Sequence, residues 1–298
     1  MNLSPPHYIE PVFRPPSEAR SLILQITNGC SWNRCAFCEM YTAPQKKFYP
    51  KKEGEIIEEI KKASEYYQDN IQRVFLADGD AMVLSTNKLL KILNAIRNYL
   101  PSVRRVGSYC LPSNVKQKNQ EELKELRDAG LKILYIGAES GHDEVLKRIK
   151  KNETYSTTVD SLIEIKKSGI TTSVMILNGL GGVTLSREHA ENSAKLVNHS
   201  QPDYLSTLVL TFPKGEKRFV SHFRDFQKLN KVELFKELRL FLLKTELERT
   251  IFRSDHASNY LILKGTLGRD KNMLIQKIDE AINNPEKADL RDEWERGL

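Results

Sequence analysis

Residues 21–42 read SLILQITNGCSWNRCAFCEMYT. The first part, SLILQIT (21–27), is a short apolar run rich in β-branched residues, the composition of a strand. The remainder holds Cys30, Cys35 and Cys38, three of the chain's four cysteines, with no histidine among them. A strand that empties into a loop of three soft ligands raises two questions. One is the fold that begins with this strand; the other is the centre that takes three thiolates and leaves a fourth position open.

The strand is the first of a series. RVFLAD (73–78), RRVGSYC (104–110), LKILYIG (131–137), TTSVMILNG (171–179) and DYLSTLVL (203–210) repeat its character. Helical spacing separates them: Ile56, Ile57, Ile60 and Ala63 mark one apolar face, and Leu89, Leu90, Leu93 and Ile96 another, with Ser85 placed to cap the second helix. Further helices are expected at 121–130, 155–168 and 186–198. Two of them close on glycine, Asp128-Ala129-Gly130 and Lys167-Ser168-Gly169, a residue suited to the left-handed turn that ends a helix. Six strand–helix units imply an α/β fold with a parallel sheet and helices outside it. Periodicity alone leaves open whether that sheet curls into a partial barrel.

Residues 1–20 carry proline pairs at 5–6 and 15–16 and read as an extended N-terminal arm. The repeating core spans 21–212. Beyond it, 226–250 reads as a long helical stretch, RSDHASNYLILKGTLGRD (253–270) as irregular and polar, and 271–283 as a helix. Residues 213–298 are therefore expected to form a mainly helical C-terminal extension, or lid.

Composition narrows the function. The chain has 298 residues, 40% hydrophobic and 29% charged, ordinary for a soluble globular protein. No uninterrupted apolar run approaches the roughly 18–20 residues of a membrane span. MNLSPPHYIEPVFRPP lacks the apolar centre of a secretory signal, so a cytoplasmic chain without membrane attachment is expected. In a reducing compartment clustered cysteines bind metal more often than they pair. The net charge of +7 is spread through lysine-rich helices, which favours a solvated surface over a nucleic-acid face.

Two centres suit the cysteine loop. A structural zinc site needs a fourth ligand from afar, with Cys110 or His256 available. An iron–sulfur cluster needs only the three thiolates and keeps one iron open. The loop leaves the C-terminal end of the first strand, the edge where parallel α/β proteins hold ligands, and this favours a functional centre.

TNGCSWNRCAFCEMY resembles the cluster loop of the radical S-adenosylmethionine (SAM) superfamily, with Phe37 before the last cysteine as part of the likeness. The similarity extends over most of residues 15–212. It implies a partial (β/α)6 TIM-like barrel, a 4Fe–4S cluster on Cys30, Cys35 and Cys38, and SAM on the open iron. It further implies reductive cleavage of SAM to a 5′-deoxyadenosyl radical that abstracts hydrogen from substrate, fed by a one-electron reductant such as flavodoxin or ferredoxin. Asp78-Gly79-Asp80 stands where the family binds the amino group of SAM. Glu139 and Ser140 stand where it meets the ribose, and Asn178-Gly179 open the turn beside the adenine. The usual spacing is CxxxCxxC, whereas four residues separate Cys30 from Cys35. This weighs against an oxygen-independent coproporphyrinogen oxidase, a label that such sequences attract.

Less specific candidates are Tyr109, at the end of the third strand, and His256, in a knot of donors and acceptors that could fold over the site. Cys110 reads as a buried small hydrophobe. The substrate is expected to be a small molecule more readily than nucleic acid. Two rival readings are a zinc-stabilised, non-catalytic α/β binding module and a radical SAM enzyme that modifies tRNA.

Overall fold

The computed structural model describes residues 6–296. The first five residues of the expected arm and the last two of the tail lie outside the described residues. The chain divides into two compact units. The first comprises the residues up to Asn33, Cys38–Ile136 and Glu164–Thr172; the second comprises Arg34–Phe37, Gly137–Ile163 and the residues from Ser173 onward.

In the first unit β1 (Leu22–Gln25) runs into the two-residue β2 (Thr27–Asn28), which pairs antiparallel with β3 (Tyr49–Pro50). Then follow α1 (Glu53–Tyr67), β4 (Arg73–Ala77), α2 (Thr86–Tyr99), β5 (Arg105–Tyr109), the short α3 (Pro112–Val115), α4 (Gln120–Asp128) and β6 (Leu131–Glu139), whose last three residues belong to the second unit. β1 pairs in parallel with β4, β4 with β5, and β5 with β6. Val74, Phe75, Leu76 and Ala77 are all buried, as an uninterrupted apolar run in a parallel sheet should be.

The helices pack through faces close to those their spacing defines, with Ile57 and Leu90 only half-buried and Ile92 buried in addition. α1 buries Ile56, Ile60 and Ala63; α2 buries Leu89, Ile92, Leu93 and Ile96. Each such Leu or Ile contributes about 1.5–3 kcal/mol relative to exposure. Ser85 caps α2, its Oγ accepting the Lys88 N–H at 3.4 Å. Gly130 and Gly169 both take positive φ, 120° and 82°, and turn the chain from α4 and from α6 (Tyr155–Lys167) into the next strand.

The second unit contains α5 (Asp143–Arg148), most of β7 (Thr171–Asn178), α7 (Gly182–Ser200) and β8 (Tyr204–Val209). It also holds α8 (Lys217–Val220), α9 (Lys231–Lys244), β9 (Ile251–Ser254), β10 (Leu263–Thr266) and α10 (Lys271–Asn283). β7 pairs in parallel with β8, β8 in parallel with β9, and β9 antiparallel with β10. The parallel strands β1, β4, β5, β6, β7 and β8 with their helices give the fold class expected: α/β, of the partial (β/α)6 kind.

Two readings of the C-terminal segment need correction. The stretch 253–270 is irregular only in part: residues 255–262 carry no strand or helix, but β9 and β10 on either side extend the pairing beyond β8. The helix expected over 226–250 is confined to Lys231–Lys244, opened by a capping box in which Asn230 and Glu233 satisfy each other's backbone N–H. Four-residue strands such as IFRS gain their order from β8, a partner distant in sequence, so no local periodicity announces them.

Candidate functional site

In the first unit the residues after β4 are stitched to the start of the cysteine loop. Asp78 is fully buried. Its Oδ2 accepts from Gln25 Nε2 (2.9 Å), from the Gly29 N–H (3.1 Å) and from the ammonium of Lys46, which is itself without exposed surface. Asp80 Oδ1 accepts the Ser31 N–H at 2.9 Å, while its Oδ2 takes the Ser31 hydroxyl and Asn114 Nδ2. The Gly79 N–H donates to Gly29 O at 3.1 Å. Asp78, Gly79 and Asp80 thus grip the residues on either side of Cys30. A Cβ at Gly79 would stand 2.6 Å from the Cβ of Cys30, so only glycine allows this approach.

The Cys30 thiol is pushed up to about 11, chiefly by burial and then by the Asp80 carboxylate. A neutral thiol is the stable form there until a cation arrives, and a coordinated thiol is deprotonated by its metal. All four cysteines are outside disulfides. Tyr109 closes this side: its ring packs edge-on against Phe75 (5.1 Å between centroids) and Tyr135 (6.3 Å), and burial holds its phenol far above the ordinary range. Cys110 is buried as expected.

The second unit holds the rest of the candidates. Ala36 donates its N–H to Ile149 O at 2.8 Å and is buried with Val145, Leu146, Ile149 and Leu177, so Cys35 and Phe37 sit on either side of an apolar anchor. Glu139 ends β6 at φ 64°, and Lys151 Nζ holds its Oε1 at 3.2 Å with both side chains almost buried. Ser140 Oγ meets His189 Nδ1 at 2.8 Å. Asn178 Nδ2 donates to Leu234 O at 3.2 Å. The Gly179 N–H donates to Glu237 Oε1 at 2.6 Å, and Ser186 donates to Glu237 Oε2 at 2.6 Å. The turn after β7 is therefore fastened by α9.

Glu237 and His189 are fully buried and pushed in opposite directions. Burial raises the Glu237 carboxyl to about 7 against its two donors, and burial lowers His189 to about 3, so both are neutral over a wide range. A cavity of about 10 Å³ lies among Asn178, His189, Thr207 and Glu237, room for one water.

His256 follows the end of β9, which runs parallel to β8 and so finishes at the same edge as β7 and β8. Ser258 Oγ accepts the Val209 N–H (3.1 Å), and Asn259 Nδ2 donates to Thr207 O (2.8 Å). Arg291 donates to the carbonyls of Asp255, His256 and Asn259, and Arg296 to that of Ser258. His256 Nδ1 accepts the Ser258 N–H at 3.1 Å, and burial with the nearby Arg291 charge lowers its pKa. The polar knot is fixed by two guanidinium groups from the chain's last segment.

A family profile for the Radical SAM superfamily matches residues 24–197, more than half of the chain. The chain belongs to the radical SAM superfamily. A heme chaperone HemW from Bacillus subtilis (strain 168) is 26% identical over 169 residues, 54% of this chain and 43% of that protein. The HemW of Buchnera aphidicola is 19% identical over 155 residues, 51% of this chain and 41% of its own length. This radical SAM chain thus aligns with less than half the length of each of these curated relatives. Among solved structures, coproporphyrinogen III oxidase (HemN) from Escherichia coli matches with a TM-score of 0.57 and 15% identity, covering 75% of this chain and 52% of that one. Methylornithine synthase (PylB) matches with a TM-score of 0.52 and 18% identity, over 76% and 63%. These likenesses show a shared fold.

Membership brings the cofactor pair that the cysteine loop implied, a 4Fe–4S cluster and SAM. Tyr41 OH and Asp78 Oδ1 in the first unit, and Glu139 Oε2 in the second, are buried polar atoms without a hydrogen-bond partner among the described residues. Such atoms cost about 1–3 kcal/mol each unless a bound group satisfies them. Among the described residues no three His, Cys, Asp or Glu side chains converge as ligands of a single metal ion. Zinc would require donors within about 2.3 Å of one point. A cubane gives each thiolate its own iron, which asks for less convergence.

Sequence reasoning missed Lys46, Lys151, His189 and Glu237. Nothing in the local pattern marks them, since lysines in polar surroundings read as solvated and Glu237 and His189 lie in ordinary amphipathic helices.

Proposed function

We propose that the chain is a cytoplasmic radical SAM enzyme in which Cys30, Cys35 and Cys38 hold a 4Fe–4S cluster. The observation that carries this is the cysteine loop at the end of β1–β2, inside the stretch that matches the family. Bound together, cluster and SAM supply a one-electron cleavage of the sulfonium carbon–sulfur bond and a 5′-deoxyadenosyl radical that takes hydrogen from substrate. The protein's own part is to bind, orient and exclude water.

Asp78 and Asp80 fix the loop around Cys30, and Asp78 Oδ1 remains as acceptor for the ammonium of SAM, a charge-assisted contact. Glu139, steadied by Lys151, offers Oε2 to the ribose hydroxyls. Asn178 and Gly179 shape the turn beside the adenine, held by α9. Phe37 anchors the loop in the apolar cluster, and Tyr109 walls the site. His256, just after the end of β9, is the candidate that meets substrate or SAM, and a one-electron donor of the flavodoxin or ferredoxin kind serves the cluster.

The test is direct. Anaerobically reconstituted protein, given dithionite and SAM, is expected to release 5′-deoxyadenosine and methionine in equal amounts. Release of neither overturns the reading, and zinc in place of iron and sulfide favours the non-catalytic binding module. A second reading rests on the relatives named heme chaperones: the chain carries a tetrapyrrole and turns over little SAM. Stoichiometric binding of haemin, followed by its Soret band, without 5′-deoxyadenosine release favours it.

A further inference from the structure

Tyr41 lies three residues beyond Cys38, and no established role of the cysteine loop calls for it. It is 4% exposed, yet its hydroxyl is buried with no partner among the described residues. The ring is clamped on several sides. Phe13 packs edge-on at 5.7 Å, and Lys46 Nζ lies 5.6 Å from the ring centroid. A Cβ at Gly79 would come within 3.0 Å of Tyr41 Cε2, the same point that Cys30 crowds. Asn33 Nδ2 donates to Tyr41 O at 2.8 Å and fixes the backbone.

The clamp holds the ring between Phe13, the Lys46 ammonium and the close approach of Gly79 to Cys30. Burial raises its pKa well above the ordinary value, and the groups that reinforce this are Asp78, Tyr109, Cys38 and Cys30. A Cβ at Gly79 would meet both Cys30 Cβ, at 2.6 Å, and Tyr41 Cε2, at 3.0 Å, so the edge of the ring stands beside a ligand of the proposed cluster and its protonated hydroxyl is a donor there. A buried O–H with no acceptor is costly, and the position holds tyrosine where phenylalanine would fill the same space without that cost.

We propose that Tyr41 is a positioning residue whose hydroxyl donates a hydrogen bond to a sulfur of the cluster and thereby sets its reduction potential. The inference rests on the proposed function, because it requires the cluster that Cys30, Cys35 and Cys38 hold. Hydrogen bonds to cluster sulfur stabilise the more negative, reduced state and raise the potential. Removing this donor makes reduction harder while all three thiolates remain.

The experiment uses full-length reconstituted protein without SAM. Iron and sulfide are counted first, and the midpoint potential is then taken from a mediated redox titration followed by the EPR signal of the reduced cluster. Tyr41→Phe is expected to keep its iron and sulfide but to titrate at a more negative potential. The expected change is about tenfold in the ratio of reduced to oxidised cluster at fixed potential, about 59 mV for one electron. An unchanged potential at full loading overturns the inference alone and leaves the proposed function standing. A wild-type protein that takes up no cluster overturns both.

If Tyr41→Phe does not retain its cluster, 3-fluorotyrosine placed at position 41 keeps the ring and strengthens the donor. Its potential is expected to move the opposite way, to more positive values. No shift overturns the proposal.

Discussion

Lys46 is a charged side chain with no exposed surface, and its ammonium meets an equally buried Asp78. Such a pair is weak evidence for stability while intact, but losing one partner strands the other charge in a low dielectric. Lys46→Met is expected to lower the stability of the cluster-free protein by about 3–5 kcal/mol in urea denaturation. A loss under about 1 kcal/mol would show that water reaches Asp78. His256 can be tested separately: His256→Ala is expected to slow 5′-deoxyadenosine release about tenfold, about 1.4 kcal/mol of barrier. An unchanged rate leaves His256 as the hydrogen-bonding anchor of Ser258 and nothing more. The cysteines were legible in the sequence because their spacing alone announces a ligand set. Lys46 and Lys151 were not, since their burial depends on carboxylates 32 and 12 residues away.

At the scale of elements, α9 and α7 join through Glu237 and His189, and the pair gives stability a pH signature. Glu237 is raised from 4.5 to about 7 by burial. Between those values the unfolded chain has lost the proton that the folded chain keeps, so stability falls as pH rises through the window. His189 is lowered from 6.5 to about 3 by burial, so between those values the unfolded chain binds the extra proton and stability falls as pH drops. The two trends cancel between about 4.5 and 6.5. In Glu237→Gln the amide oxygen keeps the bond from the Gly179 N–H, while its NH2 reverses the other and donates to the Ser186 hydroxyl. The stability difference between variant and wild type, from urea midpoints, is expected to shift toward the variant by about 3 kcal/mol from pH 4.5 to pH 7.5. A difference that stays constant with pH contradicts the assignment. The strand–helix alternation was legible because each element announces itself within a dozen residues. β9 and the arginines that fasten Ser258 and Asn259 were hidden because their partners lie far along the chain, and β10 because it pairs only with β9.

For the whole molecule, the charge of +7 is modest, and among the described residues no helix is long and apolar enough to cross a membrane. A tRNA-modifying role requires phosphate contacts, and binding through them weakens steeply with salt. Bulk tRNA is expected to show no saturable binding at 150 mM salt; tight, salt-sensitive binding would favour RNA as substrate. The central claim is that Cys30, Cys35 and Cys38, and not Cys110, hold a 4Fe–4S cluster. Iron and acid-labile sulfide counted on anaerobically reconstituted wild type and on four single Cys→Ala variants test it most directly. About four of each are expected in wild type and in Cys110→Ala, with severe loss in the other three. Zinc in wild type, or iron and sulfide retained in all three loop variants, would contradict the claim.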